Sequence, residues 1–154
     1  MARQPAKQSG NTLEESFGRK LILLYNLYTQ PFFEEIGRPE GINLPEWLVI
    51  YTIALYPDIG PSRIGHFTGL HKTTISRVLS QLRDKGYIEQ CVDPNDGRGK
   101  ILSLTSAGKK IFVRRSGWAR EWSTLLTSGL SAADRRALAR MLDVVIDNSR
   151  ARSE

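Results

Sequence analysis

Between Lys72 and Leu104 the hydrophobic period changes once, and that change limits the folds open to this chain. Ile75, Val78, Leu79 and Leu82 stand at i, i+3, i+4 and i+7, the stripe of a helix with one buried face. Gly86 closes that helix, because glycine enters a left-handed C-cap without steric cost. Residues 87–92 and 100–104 then read as strands, joined by Asp93-Pro94-Asn95-Asp96-Gly97-Arg98-Gly99, a dense turn signal. Ahead of the stripe, Pro61 and Ser62 open a short helix with Ile64 and Phe67 facing inward, and Gly69 ends it in a tight turn. A short helix, a glycine turn, a second helix and a β-hairpin with a charged tip make a helix-turn-helix followed by a wing.

The flanking segments are also helical. Over residues 12–36, Phe17, Leu21, Leu24, Tyr25 and Tyr28 form one apolar stripe, and Pro31 is expected to kink or break the helix. Residues 37–41 read as a loop. Asn43 followed by Glu46 is an N-cap pair with Pro45 near the first helical position, and the helix runs to about Tyr56, where Pro57 stops it. Ser106 starts another helix, to about Thr127. Gly129 interrupts it, and Ser131 with Asp134 reads as a second capping box. The last helix sets Leu138, Met141, Leu142 and Val145 on one face. The predicted fold is mainly α with a small β-hairpin wing.

Charge follows the same map. Residues 60–115 carry 11 Lys and Arg against 4 Asp and Glu, so the whole net charge of +6 resides in about one third of the chain. A localised basic surface attracts a polyanion such as nucleic acid. No apolar run approaches a membrane span, and the polar start of the chain lacks the apolar stretch of a signal peptide, so a cytoplasmic protein with no membrane partner is expected. One cysteine, Cys91, rules out an internal disulfide framework.

The second helix of the module matches the major groove of B-DNA in width, and its outer face must carry donors that reach bases and phosphates. That face holds Lys72, Thr73, Thr74, Ser76 and Arg77, close to a helix N-terminus whose free N–H groups suit a phosphate. His71 stands in the preceding turn, near a phosphate, and Arg63 is a further basic candidate on the first helix. Arg98, between two glycines at the wing tip, is the candidate for the narrow minor groove, where negative potential favours arginine. Asp96 would hold Arg98 by an ion pair, and Lys100 would meet a flanking phosphate.

Thr73-Thr74-Ile75-Ser76-Arg77-Val78, then Gly86-Tyr87-Ile88, the Asp93–Gly99 turn and Leu104-Thr105-Ser106-Ala107-Gly108 resemble the signature of the MarR family of bacterial regulators. Leu44-Pro45-Glu46-Trp47 also resembles that family's entry to its second helix, and the likeness spans roughly residues 12–148. Gly97 departs from it, because many members carry a basic residue there. The resemblance implies a homodimer whose terminal helices intertwine, a palindromic operator in double-stranded DNA, and repression released by a small ligand. Large apolar faces on the first and last helices, which a monomer would leave partly exposed, point independently to the dimer. The expected layout is a flexible tail over 1–11, an N-terminal dimerisation helix and loop over 12–43, the winged helix-turn-helix over 44–105, and C-terminal dimerisation helices over 106–154.

The aromatic residues outside the DNA module read first as core and interface. A sharper reading is an effector pocket lined by Trp47 and Tyr51, one helical turn apart, with Tyr25 and Tyr28 near it and Arg19 or Arg63 pairing with a carboxylate. Its ligand would be an aromatic acid, a phenolic or an acyl thioester. Cys91 is read as a buried or inert thiol, since no second cysteine can resolve a sulfenic acid. His66 and His71 are five apart and lack companion ligands, so neither a metal nor a cofactor is expected. No phosphate loop or nucleophile elbow marks an enzyme. The alternatives are a ligand-independent or architectural DNA-binding protein and a winged-helix module for protein contacts.

Overall fold

Along the chain, the computed structural model has α1 (Leu13–Phe32), a π-helical turn (Phe33–Gly37), α2 (Arg38–Glu40), α3 (Leu44–Leu55), α4 (Pro61–Thr68), α5 (Lys72–Asp84), β1 (Ile88–Val92), β2 (Lys100–Leu104), α6 (Ser106–Leu126) and α7 (Ala132–Ala151). The structure describes residues 13–93 and 99–152; the expected tail over 1–11 and the wing residues Asp96 and Arg98 lie outside them. The described chain divides into two units, residues 13–112 and residues 113–152.

The core of the first unit is built where the stripes of α3, α4 and α5 meet. Trp47, Ile50, Ile53, Ile64, Val78, Leu82 and, from β2, Leu102 are at most 2% exposed. Capping sets the frame. The Asn43 side chain accepts the Glu46 N–H (2.9 Å) while the Glu46 carboxylate takes the Asn43 N–H (2.8 Å), a complete capping box at the start of α3. At the other end of the module, Gly86 has a φ of 70°, and the Tyr87 N–H reaches back to the Leu82 carbonyl (2.9 Å), ending α5 where the sequence says it should.

Pro31 does not end α1 directly. The helix runs one residue further and then widens into the π turn, where the Arg38 N–H reaches the Phe33 carbonyl. A short helical turn, α2, follows where the sequence reading expects a loop, and Gly41 closes it with a φ of 63°. Phe67 also departs from expectation. Ile64 is fully buried, but Phe67 is 39% exposed and stacks on Tyr56, with ring centroids 4.2 Å apart. In a helix of eight residues only one narrow stripe reaches the core, and Phe67 lies at its rim.

The hairpin pairs antiparallel from Ile88↔Leu104 to Val92↔Lys100. Its second strand has another partner: the Leu102 N–H donates to the Ile59 carbonyl (3.1 Å), forming an isolated bridge on the far edge of β2. Cys91 is exposed on β1, which removes the buried alternative of the reading as a buried or inert thiol; alternation along a two-stranded ribbon turns it away from the core. The Leu-Thr-x-x-Gly stretch after β2 serves the fold. Thr105 Oγ1 donates to the Gly86 carbonyl (2.6 Å) and accepts the Gly108 N–H (3.2 Å), and a Cβ at Gly108 would overlap the Tyr87 carbonyl.

In the second unit, Trp118 and Trp122 stack nearly parallel with centroids 5.9 Å apart. The Ser131 hydroxyl accepts the Asp134 N–H (3.2 Å), but the Asp134 carboxylate binds that same hydroxyl (2.7 Å), so only half of the expected capping box forms. No residue of α7 is buried. Among the described residues no helix is long and apolar enough to cross a membrane.

Candidate nucleic-acid interface

The site is built on α5, whose four sides have different tasks. At about 100° per residue, the apolar stripe occupies one side. Lys72, Ser76 and Arg83 fall on one flank, Thr73, Arg77, Ser80 and Asp84 face outward, and Thr74, Gln81 and Lys85 fall on the other flank. The first flank and the outward side are exposed throughout. Four apolar residues therefore hold the helix down while its hydrogen-bonding side chains stay in water.

The exposed flank of α5 borders a cavity of about 1060 Å³ shared with α4 and the hairpin. Among the described residues, Ser62, Lys72, Ser76, Arg83, Gln90 and Lys100 supply its polar lining, which holds three cations and no carboxylate. Arg83 Nη1 donates to Gln90 Oε1 (3.0 Å) and so ties the C-terminal part of α5 to the first wing strand. A concave, cation-lined surface between a protruding helix and a β-ribbon is what a phosphate backbone fits.

The sequence-predicted residues divide accordingly. Lys72, Ser76 and Lys100 line the cavity, Thr73 and Arg77 project outward, and His71 is exposed at the N-cap of α5 without capping the helix through its side chain. Thr74 is half-buried on the opposite flank. Arg63 lies over the Phe67 ring (5.8 Å to its centroid), beside the Tyr56–Phe67 stack and outside the cavity lining. Arg98 and Asp96 are outside the described residues. Sequence reading missed the roles of Ser62 and Gln90. A signal for Gln90 existed: a period of two puts it on the inward face of Ile88, where a polar side chain is unusual.

Of the proposed pocket residues, the structure gathers Tyr28, Trp47 and Tyr51 and adds Phe112. Tyr51 is 5.8 Å from Trp47 and 5.7 Å from Phe112, centroid to centroid. Burial pushes the Tyr28 phenol above its usual range, and the neighbouring Tyr51 adds to the shift. Trp47 itself is only 2% exposed and packs in the core. Arg19 and Tyr25 are exposed on α1, and Arg63 is turned to Phe67. Among the described residues no three His, Cys, Asp or Glu side chains cluster as a metal would require.

A family model described as MarR family matches residues 40–99, the stretch from the end of α2 to the start of β2. The transcriptional repressor IacR of Pseudomonas putida is 25% identical over 128 residues, covering 83% of this chain and 76% of that one. Among solved structures, a MarR/EmrR family regulator from Acinetobacter sp. ADP1 superposes with a TM-score of 0.80 at 22% identity, over 91% of this chain and 99% of that one. BpsR of Bordetella bronchiseptica, whose DNA binding is regulated by 6-hydroxynicotinic acid, superposes with a TM-score of 0.71 at 20% identity, over 85% and 98%. The fold, the motif set and the relatives agree in one likeness: the chain is similar to the MarR family of winged helix-turn-helix transcriptional regulators.

Proposed function

We propose that the chain is a homodimeric, ligand-responsive repressor that places α5 in the major groove of a palindromic operator and its hairpin against the neighbouring minor groove. The observation that carries this reading is the division of labour on α5. Thr73, Ser76 and Arg77 are exposed on the sides away from the buried stripe, beside a cavity lined by Lys72, Arg83 and Lys100. His71 and Lys100 then take phosphates, Thr73, Ser76 and Arg77 meet bases or the backbone, and Arg98, supported by Asp96, probes the minor groove. Exposed apolar side chains on α1 (Phe17, Leu21, Leu24) and on α7 (Leu138, Met141, Leu142) support segments 12–43 and 106–154 as the dimerisation parts, leaving 44–105 to bind DNA in the cytoplasm. Two copies then meet two half-sites about one helical turn apart.

The effector we propose is a small aromatic acid or phenol, accommodated near Tyr28 and Tyr51. Regulation of the similar BpsR by 6-hydroxynicotinic acid supports that class. Such a ligand acts only if it binds the DNA-competent and the released arrangement with different affinity.

The test is a binding isotherm on the DNA flanking the chain's own gene, with and without aromatic acids, phenols and their thioesters. Tight binding released by one compound is the expected result. No preference over unrelated duplex would reduce the protein to an architectural binder, since a specific site should win by about a thousand-fold. Arg98→Ala should weaken operator binding by about 1–3 kcal/mol without changing helix content; unchanged affinity would remove the wing from the interface.

A further inference from the structure

We infer that Lys85 is a positioning residue for DNA recognition: with Glu46 it clamps the C-terminal end of α5 and sets the angle at which that helix presents its outward side chains. The inference rests on the DNA-binding reading above.

Glu46 is 1% exposed, an unusual place for a carboxylate. Its charge is met by Lys85 Nζ, 2.7 Å from Oε1 and 2.9 Å from Oε2, and its Oε2 also takes the Asn43 N–H. The third hydrogen of the same ammonium goes to the Gly41 carbonyl (2.8 Å). All three donors of Lys85 are thereby used, none of them toward solvent, although its side chain is 35% exposed. One lysine at the C-cap of α5 thus holds the end of α2 and the N-cap of α3 together.

An ion pair with one buried partner is a poor device for stability, because desolvation of the Glu46 carboxylate offsets much of the attraction to Lys85. What it supplies is direction. Apolar contacts of Ile75, Val78, Leu79 and Leu82 set the depth of α5 but resist rotation weakly, being non-directional. Hydrogen bonds on opposite flanks resist it strongly. Arg83 and Lys85 lie about 200° apart around the helix, the former tied to Gln90 of the wing and the latter to Glu46 of α3. Turning α5 by about 10° moves a side-chain tip roughly 6 Å from its axis by about 1 Å, more than a recognition contact tolerates. Thr73 and Arg77 would lose their register on the bases first.

The experiment compares operator binding of the parent dimer with that of Glu46→Gln combined with Lys85→Met, by fluorescence anisotropy over a series of salt concentrations. The pair variant carries no uncompensated charge, and the glutamine carbonyl still accepts the Asn43 N–H, so folding is preserved; thermal unfolding and circular dichroism confirm it. Lys85→Arg serves as the conservative control. The expected result is a loss of operator affinity of about tenfold or more, with unrelated-duplex affinity within about twofold and a salt slope equal to the parent's, and partial recovery with the arginine. A salt slope lower by about one unit would mean that Lys85 contacts a phosphate directly, and would overturn the inference. So would operator affinity within twofold of the parent. A parent with no preference for its operator would overturn the functional reading, and this inference with it; a parent that discriminates while the pair variant matches it would overturn this inference alone.

Discussion

Two helices of this chain, α3 and α7, end in opposite situations. α3 buries six of its 12 residues, including Trp47, Val49, Ile50 and Ile53. α7 buries none of its 20, and Met141 and Val144 stand 64% and 59% exposed. α3 is apolar nearly all round, whereas α7 carries a single apolar face. The difference lies in what the chain offers as a neighbour. α3 meets α4, α5 and β2, all within the same unit. The apolar residues of α7 have no such cover, and those of α1 resemble them, with Ile22, Leu23 and Leu27 more than half exposed. Exposed apolar surface of that extent marks an interaction site. One region therefore completes itself, and the other leaves an apolar face that suits the second copy proposed above.

The sharpest way to break this comparison is to charge the open face. Leu142→Glu should reduce the mass seen in analytical ultracentrifugation to that of one chain. Operator affinity should fall by at least a hundredfold, because two linked half-sites become two independent weak ones. A dimer that survives Leu142→Glu would move the interface elsewhere. A core change should act through stability. Leu82→Ala removes a fully buried side chain and is expected to cost about 2–5 kcal/mol in chemical denaturation; a cost below about 1 kcal/mol would mean that α5 does not depend on that stripe. The two caps give a finer contrast. Asn43→Ala removes the side-chain half of a part-buried capping box, leaves the residue-43 N–H on the Glu46 carboxylate, and should cost about 1 kcal/mol. Ser131→Ala removes an exposed cap bond and should cost less; equal costs would show that partial burial of the cap bond adds nothing. The smallest effect is on pH dependence. Because burial raises the Tyr28 phenol pKa in the folded chain, the unfolded chain loses that proton first as pH rises, and stability should decline slightly above about pH 10. Tyr28→Phe should flatten that decline.

Much of the fold was legible because its signals are local. The stripe of α5, the glycines at 69 and 86, the Asn43–Glu46 box and the turn signal of the hairpin each depend on residues within a few positions of one another. Reading failed where a short element met a distant partner. Phe67 fits an inward helical position, but α4 is too short to bury it, and Tyr56 covers it instead. Ile59 carries no strand signal, since a single bridge to Leu102 is made 43 positions away. Arg63 was a candidate for both DNA and ligand, and only its proximity to Phe67 distinguishes it from the cations beside α5.

By itself the sequence determined the order of the longer helices and the two strands, the caps of α3 and α5, and which side of α5 faces water, because capping, periodicity and charge act over one or two helical turns. Only the tertiary structure decided that Glu46, read as a helix cap, is also the buried counter-charge of Lys85, and that Arg83 reaches Gln90. Those pairs depend on how three elements pack around a shared core. That packing is the sum of many weak contacts between residues far apart in the chain, and no local pattern records it.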